Sequence, residues 1–380
     1  MALFSVRCCP ITNTTWVLWK GAFHICAKYE QLAATLRSEV RQILRQGGSK
    51  LPSEAEIAGR YHMSRQTVRH ALKLLEEEGI IRRRQGSGSY IQNQELSDDP
   101  RQIAVITTFP DDYIFPTILH DTQNSFSQAG YSTLVFATEN KVTREWEILT
   151  RLLEQNISAV LVEGSRTALP TPNSDLYQQL HDRGTPNLFL HGVYSNLSGF
   201  PCLMDDNFSG GYQLAQYVLS KGHRRIAGIF KSDDIQGPQR YHGVVSALRD
   251  NGIAIRDDGF FWYDSEARSV LLRSHGSDVL PEFVEHRLGD ATAVICYNDE
   301  VAYFLIQKLL DAGISVPDAV AVASFDNSFY SQIGPVPITS LAHKASRTGK
   351  VAAAMLLDIL SGAHPQSRLL EWKLIRRGSA

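Results

Sequence analysis

The sequence predicts an α/β protein in two unequal parts: a small winged helix-turn-helix, then a larger two-lobed α/β domain with parallel sheets. Three observations carry that expectation. Helical periodicity comes in three short blocks before residue 80 and gives way to an arginine-rich, glycine-tipped hairpin. Seven short β-branched apolar runs then alternate with helical stretches over about 280 residues, the pattern of parallel strands buried on both faces. Charge is also divided. Residues 28–95 carry 12 Lys/Arg against 8 Asp/Glu and residues 96–380 carry 24 against 32, although the whole chain stands at −2.

Composition narrows the field further. With 43% hydrophobic and 21% charged residues, the 380-residue chain can bury more than one core; a disordered chain, a collagen and a coiled-coil rod are excluded. No apolar run approaches ~18 residues, so no membrane helix is expected. In residues 1–27, Arg7 and the small-residue HICA have the character of the two ends of a leader. Pro10, Asn13, Lys20 and Gly21 interrupt any apolar centre, so a disordered extension, or a start site placed too far upstream, on a cytoplasmic protein is expected instead. Five cysteines without a C-x-x-C, and 12 histidines without ligand spacing, give no support to disulfides or to metal. G-x-G-x-x-G after the first strand, the Walker loop, G-x-S-x-G and H-E-x-x-H are all missing, so neither a cofactor nor catalysis is expected.

The first module reads element by element. From Tyr29, Leu32, Leu36, Val40 and Ile43 mark an amphipathic helix that ends at Gly47-Gly48. Ser53 and Glu56 have capping-box spacing and predict a helix from Glu54 to about Tyr61. Ser64 caps a third helix whose buried face is Val68, Leu72 and Leu75, and Gly79 stops it. Ile80-Ile81, Arg82 to Arg84, Gln85-Gly86-Ser87-Gly88 and Ser89-Tyr90-Ile91 form the hairpin. Arg65, Gln66, Thr67 and Arg69 crowd the first turns of the third helix, the part that enters a major groove in helix-turn-helix proteins. Thr67 and nearby backbone N–H groups suit phosphates.

Residues 93–100 are polar, acidic and end in proline, which reads as a linker. Strands are expected within 103–108, 131–137, 158–164, 187–192, 225–230, 292–297 and 320–325, with helices at 144–155, 211–221 and 299–313 between some of them. Polar and aromatic residues gather just past these strand ends: Asp111-Asp112-Tyr113-Ile114-Phe115, Glu163, His191, Asp205-Asp206, Lys231, Arg240, Asn298-Asp299 and Asp326-Asn327. A sugar needs that mixture. Carboxylates and amides serve adjacent hydroxyls, cations hold ring oxygens, and aromatic faces cover C–H groups.

At this point the residues resemble known families. LPSEAEIA, SRQTVRHALKLLEEEGII and RRRQGSGSYI are similar to the GntR class of winged helix-turn-helix regulators over residues 28–92. The resemblance implies contacts to double-stranded DNA from Ser64, Arg65, Gln66, Thr67, Arg69, Gln85 and Gly86, with Lys28 and Glu54 in support. One departure is Ala55, where many members carry arginine. MDDNFSGGYQLAQYVLSKGHRRIAGIF, QRYHGVVSAL, CYNDEVA and VASFDNS resemble the lactose-repressor and periplasmic-binding-protein fold over about residues 101–377. That likeness implies effector contacts from Arg240, Asn298 and Asp326, with Asp299 beside them.

A narrower likeness, to regulators that join these two modules and respond to L-arabinose, rests on TTFPDDYIFPTI, VEGSRTALPTPN and GIFKSDDIQG. It adds Tyr113, Phe115, Glu163, Asp206, Lys231 and His343. Phe325 and Asn327 depart from the family's usual Tyr and second Asp and leave the sugar open. The implied protein is a homodimeric, sugar-released repressor whose residues 101–380 bind effector and dimerise. A sugar-binding protein without DNA function does not account for the arginine-studded third helix, and a pyridoxal enzyme fused to a GntR module needs a larger domain.

Overall fold

The computed structural model describes residues 28–45, 48–84, 88–92, 101–112, 114–268, 279–343 and 348–380. The expectations for residues 1–27, Gln85, Gly86, the linker at 93–100 and Tyr113 lie outside the described residues.

The first module is three helices and a hairpin: α1 (Lys28–Arg45), α2 (Glu54–Arg60), α3 (Arg65–Glu77), then antiparallel β1 (Ile81–Arg84) and β2 (Gly88–Ile91). Its core is the periodic set, with Leu32, Leu36, Val40, Ile57, Val68, Leu72, Leu75 and Ile81 buried together. The capping box forms in both directions, Glu56 N–H donating to Ser53 Oγ at 3.3 Å and Ser53 N–H to the Glu56 carboxylate at 2.7 Å. Gly79 takes φ +71°, the left-handed turn that ends α3 and that residues bearing Cβ adopt only at a cost.

The rest is two lobes, each built on a six-stranded sheet. In the first lobe β3 (Gln102–Thr107), β4 (Ser132–Ala137), β5 (Ala159–Val162), β6 (Asn187–Leu190), β7 (Cys202–Asp205) and β13 (Arg368–Leu370) lie in the order β13-β7-β6-β5-β3-β4, all parallel. Helices α4 (Phe115–Gln128), α5 (Val142–Glu154) and α6 (Ser174–Asp182) connect them. The second lobe orders β14 (Trp372–Ile375), β12 (Thr339–His343), β11 (Ala321–Phe325), β10 (Ala293–Cys296), β8 (Ile226–Lys231) and β9 (Phe260–Tyr263). Its strands are parallel except for the β12–β14 pair.

Each of the seven apolar runs contains a strand. Five more strands were not expected: β7, β12, β13 and β14 are three to five residues long and mix polar with apolar positions, and β9 is four aromatic residues without a β-branched run. Burial on both faces holds for β5, β6, β10 and β11 and fails for β4, a sheet edge that is partly exposed along its length.

The chain passes between lobes three times: at Asp205–Asn207, after His343, and at Leu370–Trp372. In the second lobe α7 (Asn207–Ser220) and α8 (Gln236–Asp250) pack backbone to backbone. A Cβ on Gly211 would lie 2.0 Å from the Arg240 carbonyl oxygen, and one on Gly243 2.0 Å from that of Phe208. Glycine is required at both, and the close approach carries Arg240 to the lobe boundary.

Candidate functional site

The strands of both sheets end at a cleft between the lobes, the expected ligand position for parallel α/β sheets. Carboxylates Asp112, Glu163, Asp205, Asp234 and Asp326 line it, as do Lys231, Arg240, Arg268, His191 and His343. Five acids thus face three permanent cations and two imidazoles. Phe109, Phe115 and Tyr297 supply aromatic wall.

Arg240 is the centre of the second lobe's wall. It is 2% exposed, donates from Nε to Asn207 Oδ1 at 3.0 Å and to the Tyr297 carbonyl, and lies 3.4 Å from Asp326 Oδ1. Its guanidinium sits over the Phe325 ring at 4.3 Å and the Tyr297 ring at 4.9 Å, which fixes the fork and covers its faces. Asp326 holds φ +94°, a conformation rare outside glycine that turns its carboxylate into the cleft. Asn298 caps the helix Asp299–Asp311 by accepting from Val301 N–H at 3.0 Å, so its amide NH2 is what remains for a ligand. Lys231 is buried beside Asp233 at 3.7 Å and pairs with Asp234.

Across the cleft, Glu163 accepts from Thr107 Oγ1 at 2.7 Å, Thr108 N–H at 3.0 Å and Thr108 Oγ1 at 2.9 Å, and faces His191 Nδ1 at 3.0 Å. Burial alone would raise its carboxyl; these partners, His191 foremost, overcome that and hold it at about 2. Burial works equally against the charged form of His191, yet Glu163 prevails and raises it. His343 Nδ1 is 2.9 Å from Asp205, and the imidazole stacks on Trp372 at 4.9 Å. Burial lowers and Asp205 raises His343, with a net upward shift. Those three residues stand at the three lobe crossings, so hinge and cleft share atoms. Carboxylates and cations of the lining are paired with one another, and the hydroxyl-binding mixture suits a polyol.

Beyond the crossings the lobes also touch directly. Asn140 is buried, and its Nδ2 donates to Asp233 Oδ2 at 3.1 Å, Asp234 Oδ1 at 3.2 Å and Ser265 Oγ at 2.6 Å. Ile235 N–H donates to Thr167 Oγ1 at 3.1 Å, and Arg268 pairs with Asp112 as well as with Glu300.

Of the expected effector residues, Phe115, Glu163, Lys231, Arg240, Asn298, Asp326 and His343 line this one cleft. Asp206 and Asp299 do not. Asp206 accepts from Ser209 N–H at 3.0 Å as the cap of α7, because successive residues leaving a strand point to opposite sides and Asp205 takes the inward one. Asp299 is buried beneath the cleft floor among serines. Thr108, Phe109, Asp234, Gln236, Arg268 and Tyr297 also line the cleft, beyond the residues expected from the sequence. Asp234, Gln236 and Tyr297 sit inside motifs already quoted, whereas Arg268 carries no local signal.

On the winged module Ser64, Arg65, Gln66 and Arg69 are exposed and Thr67 half-buried, along one end of α3; Lys28 is exposed at the start of α1. Ser64 Oγ accepts from Thr67 N–H at 3.1 Å. The Glu54 carboxylate accepts from Arg69 Nε at 2.9 Å and pairs with Arg83 of β1, tying α2, α3 and the wing together.

Comparison with known proteins agrees with both halves. Residues 28–91 match the model for bacterial regulatory proteins of the gntR family, and residues 215–380 match the periplasmic binding protein-like domain. The arabinose metabolism transcriptional repressor of Geobacillus stearothermophilus is 32% identical over 335 residues, 88% of this chain and 91% of that protein. This chain belongs to the arabinose metabolism transcriptional repressor family. A repressor of the same name from Halalkalibacterium halodurans is 30% identical over 365 residues, covering 93% and 96%. The solved structure of the transcriptional regulator CelR with cellobiose matches this repressor's fold with a TM-score of 0.65 at 20% identity, over 87% of this chain and 100% of that one. Among the repressor's described residues no helix is long and apolar enough to cross a membrane, and no three His, Cys, Asp or Glu side chains are grouped to hold a metal ion.

Proposed function

We propose that this repressor is released from operator DNA by L-arabinose bound between its lobes. The observation that carries the reading is the Arg240–Asp326–Asn298 wall facing Glu163–His191: a polar cleft of mutually paired acids and bases formed jointly by both lobes. A pentose there offers hydroxyls to each wall at once, so it binds the closed arrangement better than the open one. By linkage, a ligand that favours closure weakens whichever state binds DNA only if that state is the open one. Release by ~100-fold requires a coupling of roughly 3 kcal/mol.

The DNA side belongs to α3. Gln66 and Arg69 reach base edges in the major groove, Arg65, Thr67 and Lys28 hold phosphate, and Gln85 and Gly86 belong to the wing contact. Glu54 sets Arg69 and Arg83. A two-fold homodimer reads a pseudo-palindromic operator in the cytoplasm, without catalysis or cofactor. The test is a thermal-shift panel of pentoses and hexoses on the full chain, then operator gel shifts with the sugars that bind. L-arabinose at ~100 times its dissociation constant stabilises the protein by about 2.7 kcal/mol. A panel in which another sugar alone shifts the melting curve overturns the choice of L-arabinose.

A further inference from the structure

Asp299 is fully buried and lies off the cleft, yet it directly follows Asn298, which lines it. Its Oδ1 accepts from Ser324 Oγ of β11 and from Ser340 Oγ of β12, the latter at 2.6 Å. Its Oδ2 accepts from Ser328 N–H at 2.6 Å. Ser340 Oγ in turn accepts from Asn327 N–H at 3.0 Å. One carboxylate therefore joins a helix start, two neighbouring strands and the turn after β11. That turn contains Asp326 at φ +94° and Asn327 at φ +48°, which side-chain-bearing residues keep only where their surroundings enforce it. Asp326 is the group facing Arg240.

We propose that Asp299 is a positioning residue for effector recognition: it touches no sugar, but fixes Asn298 and the strained Asp326 turn in the arrangement that binds it. The inference rests on the reading of the cleft as the sugar site. Burial and the neighbouring Asp326 push the Asp299 carboxyl up to about 7. A carboxyl raised in the folded state lowers stability at neutral pH, so stability alone does not account for this group.

The test combines calorimetric titration of the full chain with L-arabinose and hydrogen exchange at the Asn327 and Ser328 amides of the effector-free protein. Asp299→Ala should weaken L-arabinose at least tenfold and speed exchange at both amides. Asp299→Asn keeps an oxygen for both serines but sets its NH2 against the Ser328 N–H, so it should lose less affinity than Asp299→Ala while still speeding exchange at Ser328. Ser340→Ala, which keeps the carboxylate, should weaken binding severalfold and serves if Asp299→Ala does not fold. A merely structural role would lower the melting temperature and leave the dissociation constant of the folded protein unchanged, and that result overturns the proposal. If the wild-type chain takes up no L-arabinose, the effector reading fails by itself. Exchange then decides the clamp: faster exchange in Asp299→Ala supports it and unchanged exchange refutes it.

Discussion

Arg240 shows how much one side chain can carry. Its guanidinium is buried, stacked and hydrogen-bonded to Asn207, and it lies against Asp326. Arg240→Ala leaves Asp326 buried without that partner, at a cost of ~2–5 kcal/mol in effector affinity by analogy with truncated buried pairs. Operator binding, in a separate module, should stay close to wild type. Gel shifts with rising L-arabinose then show a protein that the sugar no longer releases. The Glu163–His191 pair makes a second prediction, with opposite signs for its two members. Glu163 is depressed to about 2, so its contribution is present above the unfolded value near 4.5 and is lost as pH falls toward 2. His191 is raised, so its contribution is full below 6.5 and is lost as pH climbs through the folded value. Glu163→Gln should flatten both limbs of a stability curve taken by denaturant titration from pH 2 to 9, removing of order 3 kcal/mol at pH 6.

At the scale of elements, α3 is held from two sides. Val68, Leu72 and Leu75 seat it on the module core, and Glu54 ties Arg69 to α2 and, through Arg83, to the wing. Arg69→Ala should cost ~1–3 kcal/mol at the operator, unequally across operator variants if the side chain reads a base. Arg65→Ala, at a phosphate, should weaken all sequences alike and reduce the salt slope by about one charge. Uniform loss in Arg69→Ala would assign it to backbone contact.

Across the whole molecule, the proposed release mechanism requires the two lobes to close on each other. Asn140 donates to Asp233, Asp234 and Ser265, and Asp234 pairs with Lys231 in the cleft, so closure and ligand site are in direct contact. Asn140→Asp turns donors into a third carboxylate facing two others and should hold the lobes apart. Small-angle scattering with saturating sugar should then show no contraction, and the operator should stay bound. Linkage adds a reciprocal test: whatever factor L-arabinose takes from operator affinity, operator DNA must take from L-arabinose affinity. Titrating sugar into free and DNA-bound repressor measures both, and ~100-fold in each direction is the expected size.

Local signals determined the winged module almost entirely. Caps, periodicity and stop glycines act within a few residues, and Ser53–Glu56, Ser64 and Gly79 did what their spacing required. The repeated βα pattern likewise announced parallel sheets, because double-sided burial writes itself into a run of four or five residues. The strands that close each lobe were not legible. β13 and β14 come from the last residues of the chain and are strands because they add to sheets begun more than 100 residues earlier. The site followed the same division. Glu163 and Asp326 announced themselves by chemistry at strand ends, and Arg240 by its motif, although it stands on α8 and not at a strand end. Arg268, by contrast, joined the cleft through its contact with Asp112 of the other lobe. The choice between Asp205 and Asp206, and the retreat of Asp299 beneath the floor, were decided by the direction in which the backbone aimed each side chain. Residue type sets what a group can bind; only the packed chain sets which way it faces.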